Sequence, residues 1–304
     1  MPDNRSGDAL FDWQDVLQSG RNRLGFGLRN FLRWSPGQYV ESGIQTADPF
    51  SGQTEMAEHA RQLLEKYGLS SKIAGFGPDR LLETLTYLDW LDTCQTHWPS
   101  AFAQAFSHPY GLSWLDAGAK NWAYVQAISA FMRFHYAGEF RLDGVELDPN
   151  RRYTNFQTRR QAALAFSRDI PEAAYHRGDL LEWHQRADVI SHFLPFVFKD
   201  PHLAWGLPLD YFNPQTLLNH LLDILNPGGL LIIINQGEAE AEAQQSLLQI
   251  ASERCSLEWK SLGQMPARFI EYRYPRYGWL CMKGGNNNHE RNRANADYYP
   301  GLQK

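Results

Sequence analysis

Residues 110–283 alternate between short apolar runs and amphipathic stretches, a pattern typical of strands that alternate with helices. The apolar runs predict strands at 111–118, 141–148, 173–180, 187–196 and 229–236. Helical spacing of apolar residues predicts helices at 120–135, 149–166, 213–225 and 238–255. Two last strands, near 256–262 and 276–283, are expected to pair antiparallel at the sheet edge. The pattern therefore predicts an α/β fold with a doubly wound, mostly parallel seven-stranded sheet and an antiparallel edge strand.

The first 109 residues have a different pattern. Residues 1–50 mix Gly, Pro, Arg and aromatic residues without a sustained period, so we expect them to be largely irregular, with one or two short helices. Apolar residues at helical spacing predict helices over 55–68 and 78–98. The predicted organisation is a helical N-terminal cap (1–109), an α/β domain (110–283) and a disordered tail (284–304).

Composition and charge narrow the functional classes. The chain has 29 basic and 34 acidic residues, a net charge of −5, which disfavours a protein that holds nucleic acid through its phosphates. The three cysteines are far apart and show no CxxC spacing, which argues against a zinc ribbon or a disulfide framework and for a reducing compartment. No signal pattern begins the chain, and its longest apolar run is too short to span a bilayer. We expect a soluble, cytoplasmic protein without a metal or membrane partner.

Candidate chemistry lies where the predicted strands end. Asp116-Ala117-Gly118 ends the first strand, Glu146 lies at the end of the second, and Asp179 follows the third. In a doubly wound sheet, ligands bind beyond the carboxyl ends of the strands. Carboxylates in these places can accept charge-assisted hydrogen bonds from ribose hydroxyls and from an exocyclic adenine amine.

At these positions the sequence resembles the class I S-adenosylmethionine (SAM)-dependent methyltransferases, which have a Rossmann-like domain. The matching segments are SWLDAGAKNW, DGVELDPN, HRGDLLEW, ADVISHFLPF and LLDILNPGGLLIIINQ, which occur in the family's order over roughly 110–283. The resemblance implies a SAM cofactor and a methyl-transfer reaction. It assigns Asp116 to the methionine amino end, Ala117 and Gly118 to the close approach of the backbone, Glu146 to the ribose, and Asp179 with Leu180 to the adenine.

The first motif departs from the family pattern, because Lys120 and Trp122 stand where further glycines are usual. A methyltransferase-like binding or scaffold protein, its cofactor cleft blocked by these side chains, is therefore an alternative. A nicotinamide enzyme is disfavoured, since no GxGxxG follows a strand. A nucleic-acid methyltransferase is also disfavoured.

Each candidate residue also has a structural interpretation. Asp116 could cap the next helix, Asp179 could be an ordinary turn residue, and Trp122 is expected to pack rather than to contact a cation. His192 is the candidate general base, with a structural histidine as the more common role.

Aromatic residues make up 13% of the chain, and this high content favours a small, partly apolar acceptor that binds between the cap and the loop at 197–210. The tryptophans considered for that pocket are Trp13, Trp34, Trp90, Trp98 and Trp205. The segment 21–34 combines four arginines with aromatic residues and could hold an acidic substrate or RNA. The acidic total favours instead a solvated amphipathic face. The pattern leaves the oligomeric state open.

Overall fold

A seven-stranded sheet organises the computed structural model, which describes residues 13–32, 39, 41, 50, 52–107 and 111–284. The strands are β1 (Leu112–Ala117), β2 (Phe140–Glu146), β3 (Ala173–Arg177), β4 (Ala187–Phe193), β5 (Leu225–Gln236), β6 (Leu257–Gln264) and β7 (Arg276–Lys283). Their order is β3-β2-β1-β4-β5-β7-β6. β1 to β5 run parallel, whereas β7 pairs antiparallel with both β5 and β6. The fold class predicted from the sequence is confirmed.

Helices cover both faces of this sheet. Those in the described ranges are α1 (Trp13–Leu32), α2 (Thr54–Lys66), α3 (Pro78–His97), α4 (Pro99–Ala105), α5 (Val125–His135), α6 (Arg159–Phe166), α7 (Lys199–Ala204), α8 (Pro214–Ile224) and α9 (Gly237–Arg254). The apolar side chains of α2, α3, α4 and α5 form one hydrophobic cluster against one face of the sheet, and α8 and α9 cover the other. The helices α2, α3 and α4 of the predicted cap therefore bury their apolar side chains in the same core as the sheet, and this burial stabilises their packing. The tail after residue 284 lies outside the described residues.

Two helix predictions were wrong. α6 begins at Arg159 rather than Pro149, because Thr158 and Gln161 form a capping box that starts the helix there. Asp148, which precedes the predicted start of this helix, accepts two hydrogen bonds from the Arg29 guanidinium. Residues 13–32, expected to be largely irregular, form the 20-residue helix α1.

Helix α1 lies over the chain segment that follows β4. Asn22 donates hydrogen bonds to the carbonyls of Leu203 and Leu207, and Arg29 reaches Asp148. The opposite side of the helix is apolar and more than half exposed at Trp13, Leu17, Leu24, Leu28 and Phe31. The segment 21–34, expected to form a solvated amphipathic face, is amphipathic and largely exposed within the described residues, but its polar side also makes the contacts with the segment after β4. Arg33 and Trp34 lie outside the described residues.

Gly144, in the middle of β2, makes room for the buried indole of Trp122. A Cβ built on Gly144 would lie 2.7 Å from the Trp122 ring. We expect Gly144→Ala to lower the free energy of unfolding by about 1–3 kcal/mol, because the packed ring cannot move away without strain. Urea unfolding measures the change.

Gly178→Ala is the matched control for this prediction, since a Cβ on Gly178 meets no atom within 4 Å. Equal effects of the two substitutions on the unfolding midpoint would contradict the packing of Trp122 against β2.

Within the described ranges, no helix combines the length and the apolar content needed to cross a membrane. In the same part of the chain, no group of three or more His, Cys, Asp or Glu side chains is arranged to hold a metal ion.

Candidate functional site

A cleft of about 250 Å³ lies at the carboxyl ends of the parallel strands. It is bordered by Gly118 after β1, Glu146 at the end of β2 and His192 in β4. Strand order reverses between β1 and β4, which makes this the switch point where doubly wound sheets bind their ligands. Four of the predicted site residues line it beside His192: Ala117, Gly118, Glu146 and Leu180.

The loop after β1 has the left-handed backbone conformation that glycine adopts most easily, although two of the three residues in that conformation are not glycine. Gly118, Lys120 and Trp122 have φ values of +83°, +53° and +54°. A non-glycine residue in the left-handed region is strained by about 1–3 kcal/mol, and such strain clusters at ligand sites. Leu194, which follows β4 and also borders the cleft, has φ +58°. Non-glycine residues in this strained conformation therefore lie on both sides of the switch point, after β1 and after β4.

Trp122 does not block the cleft. Its side chain is fully buried and packs against Gly144 and the Tyr175 ring, whose centroid lies 5.9 Å away. The packing interpretation of this residue is therefore confirmed. Lys120, by contrast, lines the cleft with its side chain. Of the two side chains that the alternative of a blocked cleft invokes, the larger one, Trp122, therefore does not enter the cleft.

Glu146 holds the loop and the end of β2 together. Its Oε1 accepts hydrogen bonds from the backbone N–H of Asp148 and from the Arg159 guanidinium, both at 2.9 Å. Its Oε2 accepts one hydrogen bond at 2.9 Å, from the backbone N–H of Lys120. Since a carboxylate oxygen can accept two hydrogen bonds, Oε2 retains capacity towards the cleft.

Asp116 lies below the cleft floor and is completely buried. Its Oδ1 accepts a 2.6 Å hydrogen bond from the Ser191 hydroxyl, and its Oδ2 accepts one of 2.9 Å from Tyr124. Burial raises the pKa of Asp116 to about 6, against the hydrogen bonds from Ser191 and Tyr124, which lower it. Asp116 caps no helix, since Tyr124 occupies the cap position of α5. It instead positions Tyr124, which stacks on Tyr87 in the cleft wall, with ring centroids 3.7 Å apart.

Asp179 occupies the turn after β3. Its Oδ1 accepts a hydrogen bond from the backbone N–H of Leu181 at 3.0 Å, which matches its interpretation as a turn residue. The following residue, Leu180, is the part of this turn that reaches the cleft.

His192 lines the cleft from β4, and its imidazole forms no hydrogen bond with any residue that the structure describes. Burial lowers its pKa to about 4, so the imidazole is neutral at pH 7. We expect its NMR resonances to titrate with a midpoint near pH 4, below the ordinary histidine value of about 6.5. Comparison with His192→Gln assigns the signal, and a midpoint near 6.5 would contradict an enclosed imidazole.

Aromatic side chains that the sequence did not single out line the other side of the cleft. Phe193 and Phe196 come from the end of β4, and Tyr87 from α3. Of the five tryptophans considered for the acceptor pocket, Trp205 lines the cleft. Trp90 and Trp98 are buried, Trp13 is exposed, and Trp34 is outside the described residues. No pattern in the sequence distinguishes cleft aromatics from core aromatics.

No protein-family model and no curated protein sequence matches this chain. Solved structures with a similar fold include one assigned to the class I SAM-dependent methyltransferases of Listeria monocytogenes, with 13% identity over 90% of this chain and 88% of that one and a TM-score of 0.48. A SAM-dependent methyltransferase from Clostridium acetobutylicum is 10% identical over 65% of this chain and 92% of that one, with a TM-score of 0.43. A structure assigned as an RNA methyltransferase of Pyrococcus horikoshii is 12% identical over 64% and 83%, with a TM-score of 0.40.

Proposed function

We propose that this chain is a SAM-dependent methyltransferase that acts on a small-molecule acceptor. The observation that carries the proposal is the convergence of three features on one cleft at the switch point. These are the left-handed turn at Gly118, the carboxylate of Glu146 at the end of β2, and the imidazole and rings at the end of β4.

The residues of the cleft suit the parts of SAM. Glu146 Oε2 can accept a hydrogen bond from a ribose hydroxyl, and Leu180, in the turn that Asp179 begins, brings that turn to the cleft beside an adenine. Tyr87, Tyr124 and Phe193 line the cleft, and a sulfonium placed over the face of such a ring is attracted by about 0.5–2 kcal/mol. When bound, SAM supplies an electrophilic methyl group to a nucleophile. In this assignment Asp116 is a positioning residue, because both its oxygens are engaged within the protein.

The acceptor side of the cleft belongs to the segment after β4. Pro201, His202, Trp205 and Leu207 line it, and α1 holds this segment through Asn22. An enclosed pocket accelerates methyl transfer by alignment, since proximity and orientation are worth up to about 7–11 kcal/mol. Neutral His192 has a ring nitrogen able to take the proton that an O–H or N–H acceptor releases on methylation.

Isothermal titration calorimetry with SAM and with S-adenosylhomocysteine tests the cofactor proposal. We expect saturable binding with roughly micromolar dissociation constants. Absence of heat with both ligands, on protein shown to be folded by circular dichroism, would remove the proposal. Mass spectrometry of small molecules that co-purify with the protein addresses the acceptor.

A further inference from the structure

A second pocket of about 190 Å³ adjoins the cleft and is strongly basic. Its lining residues, here called the basic pocket, are Lys120, Arg151, Arg152, Tyr153, Arg159, Ala204 and Trp205. Four of the seven carry a positive charge, and none carries a carboxylate. Lys120, Arg159 and Trp205 also line the cleft, so a ligand in one pocket lies next to the other.

The nearby carboxylates leave much of this charge unpaired. Glu146 pairs with Arg159, and Asp148 with Arg29. The Arg151 guanidinium has no ion pair or hydrogen bond with any residue in the described ranges, and the same holds for the Lys120 ammonium. Burial lowers the pKa of Arg151, and the positive charges of Arg159 and Arg29 lower it further, against the opposing effect of Asp148. A bound anion would reduce the repulsion between Arg151 and these neighbouring positive charges.

Arg159, which lines the basic pocket, carries a donor that has no partner in the part of the chain that the structure describes. The side chain is only 6% exposed, and its buried Nε has no hydrogen-bond partner among the described residues. A buried donor without a partner is unfavourable by about 1–3 kcal/mol, more for a charged group. Nε itself is enclosed by protein, but the side chain that carries it lines the pocket, so an anion in the pocket would stabilise the Arg159 cation.

Two of the arginines lie over the same Trp205 ring. The guanidinium carbons of Arg151 and Arg159 lie 5.3 and 4.9 Å from the Trp205 ring centroid. A guanidinium that contacts a ring through its face keeps its in-plane N–H donors available, and those donors match phosphate oxygens in pairs.

We infer that the basic pocket binds a phosphate group on the methyl acceptor, and that this contact places the acceptor's nucleophile in the adjoining cleft. The acceptor is thus a phosphorylated small molecule. This assignment of the acceptor rests on the proposed methyltransferase function, whereas phosphate binding itself is measurable without SAM.

Titration of the intact protein with inorganic phosphate at constant ionic strength tests the inference. We expect millimolar binding to the wild type, weakened about tenfold or more in Arg151→Gln, because a charged fork of donors is lost. Arg168→Gln, on the exposed surface outside the basic pocket, is the charge-matched control and should bind phosphate as the wild type does. Equal binding to wild type and Arg151→Gln, or no binding to either, would overturn the inference.

A parallel titration of wild type with S-adenosylhomocysteine separates the two proposals. Binding of S-adenosylhomocysteine without phosphate leaves the methyltransferase proposal standing and removes the phosphate site. Binding of phosphate without S-adenosylhomocysteine removes the methyltransferase proposal and the acceptor assignment with it. A third titration, with a single-stranded RNA 20-mer, distinguishes the source of the phosphate. RNA binding that falls steeply with salt, as several phosphate contacts require, would overturn the small-molecule acceptor.

Discussion

Glu146→Ala is expected to weaken S-adenosylhomocysteine binding about 100-fold or more and to lower the free energy of unfolding by about 3–5 kcal/mol. The binding loss follows from the removal of a charged acceptor, since hydrogen bonds to charged groups are worth about 1.5–3 kcal/mol each. The stability loss follows because Arg159, buried beside Glu146, would keep its charge without its partner. Calorimetry measures the first effect and urea unfolding the second.

The double variant Glu146→Ala, Arg159→Met separates the two roles of Glu146. Removing the buried cation along with its partner should restore most of the stability, because an unpaired buried charge is more unfavourable than an apolar replacement of the pair. Binding of S-adenosylhomocysteine should stay weak. Recovery of binding together with stability would show that Glu146 acts on the fold alone and does not contact the nucleoside.

Asp116→Ala is expected to lower the free energy of unfolding by about 2–4 kcal/mol at pH 7. Ser191 and Tyr124 would each keep a buried hydroxyl without its acceptor, and each such group is unfavourable by about 1–3 kcal/mol. Because Tyr124 would no longer be held against Tyr87, the wall of the cleft should loosen as well. Chemical unfolding and the near-ultraviolet circular dichroism of the tyrosines report the two effects.

The pH dependence of Asp116→Asn gives an independent check. The pKa of Asp116 is raised from 3.8 to about 6 in the folded protein, so the folded state binds the proton more tightly than the unfolded state. The stabilising contribution is therefore complete below pH 4 and is lost as the pH rises through 6. The free energy of unfolding of the wild type, relative to that of Asp116→Asn, should therefore fall by up to about 3 kcal/mol from pH 4 to pH 7. A difference independent of pH would contradict the raised pKa.

The basic pocket was not predicted from the sequence, although the arginines near it form a recognisable pattern. Two adjacent pairs of arginines, at 151–152 and 159–160, flank a short polar segment after β2. In the continuous helix predicted over 149–166, Arg151 and Arg159 would lie about two turns, roughly 12 Å, apart along the helix axis. The turn before α6 instead places Arg151 and Arg159 on the same Trp205 ring.

The sequence by itself determined the sheet and the position of the cleft. Apolar runs such as 229–236 predict buried strands because their periodicity reflects which faces lose contact with water, and this is a local property. The ends of those strands identify Gly118, Glu146 and Leu180, since parallel strands bring their carboxyl ends to one edge.

Only the tertiary structure decided what each of these side chains contacts. Glu146 accepts a hydrogen bond from Arg159, which is 13 residues away in the sequence, and Asp116 accepts one from Ser191, which is 75 residues away. Likewise, the polar side of α1 is the docked side because carbonyls at Leu203 and Leu207 lie opposite Asn22. Hydrogen bonds and ion pairs depend on distances of a few tenths of an ångström between segments far apart in the chain, and no local pattern of residues encodes those distances.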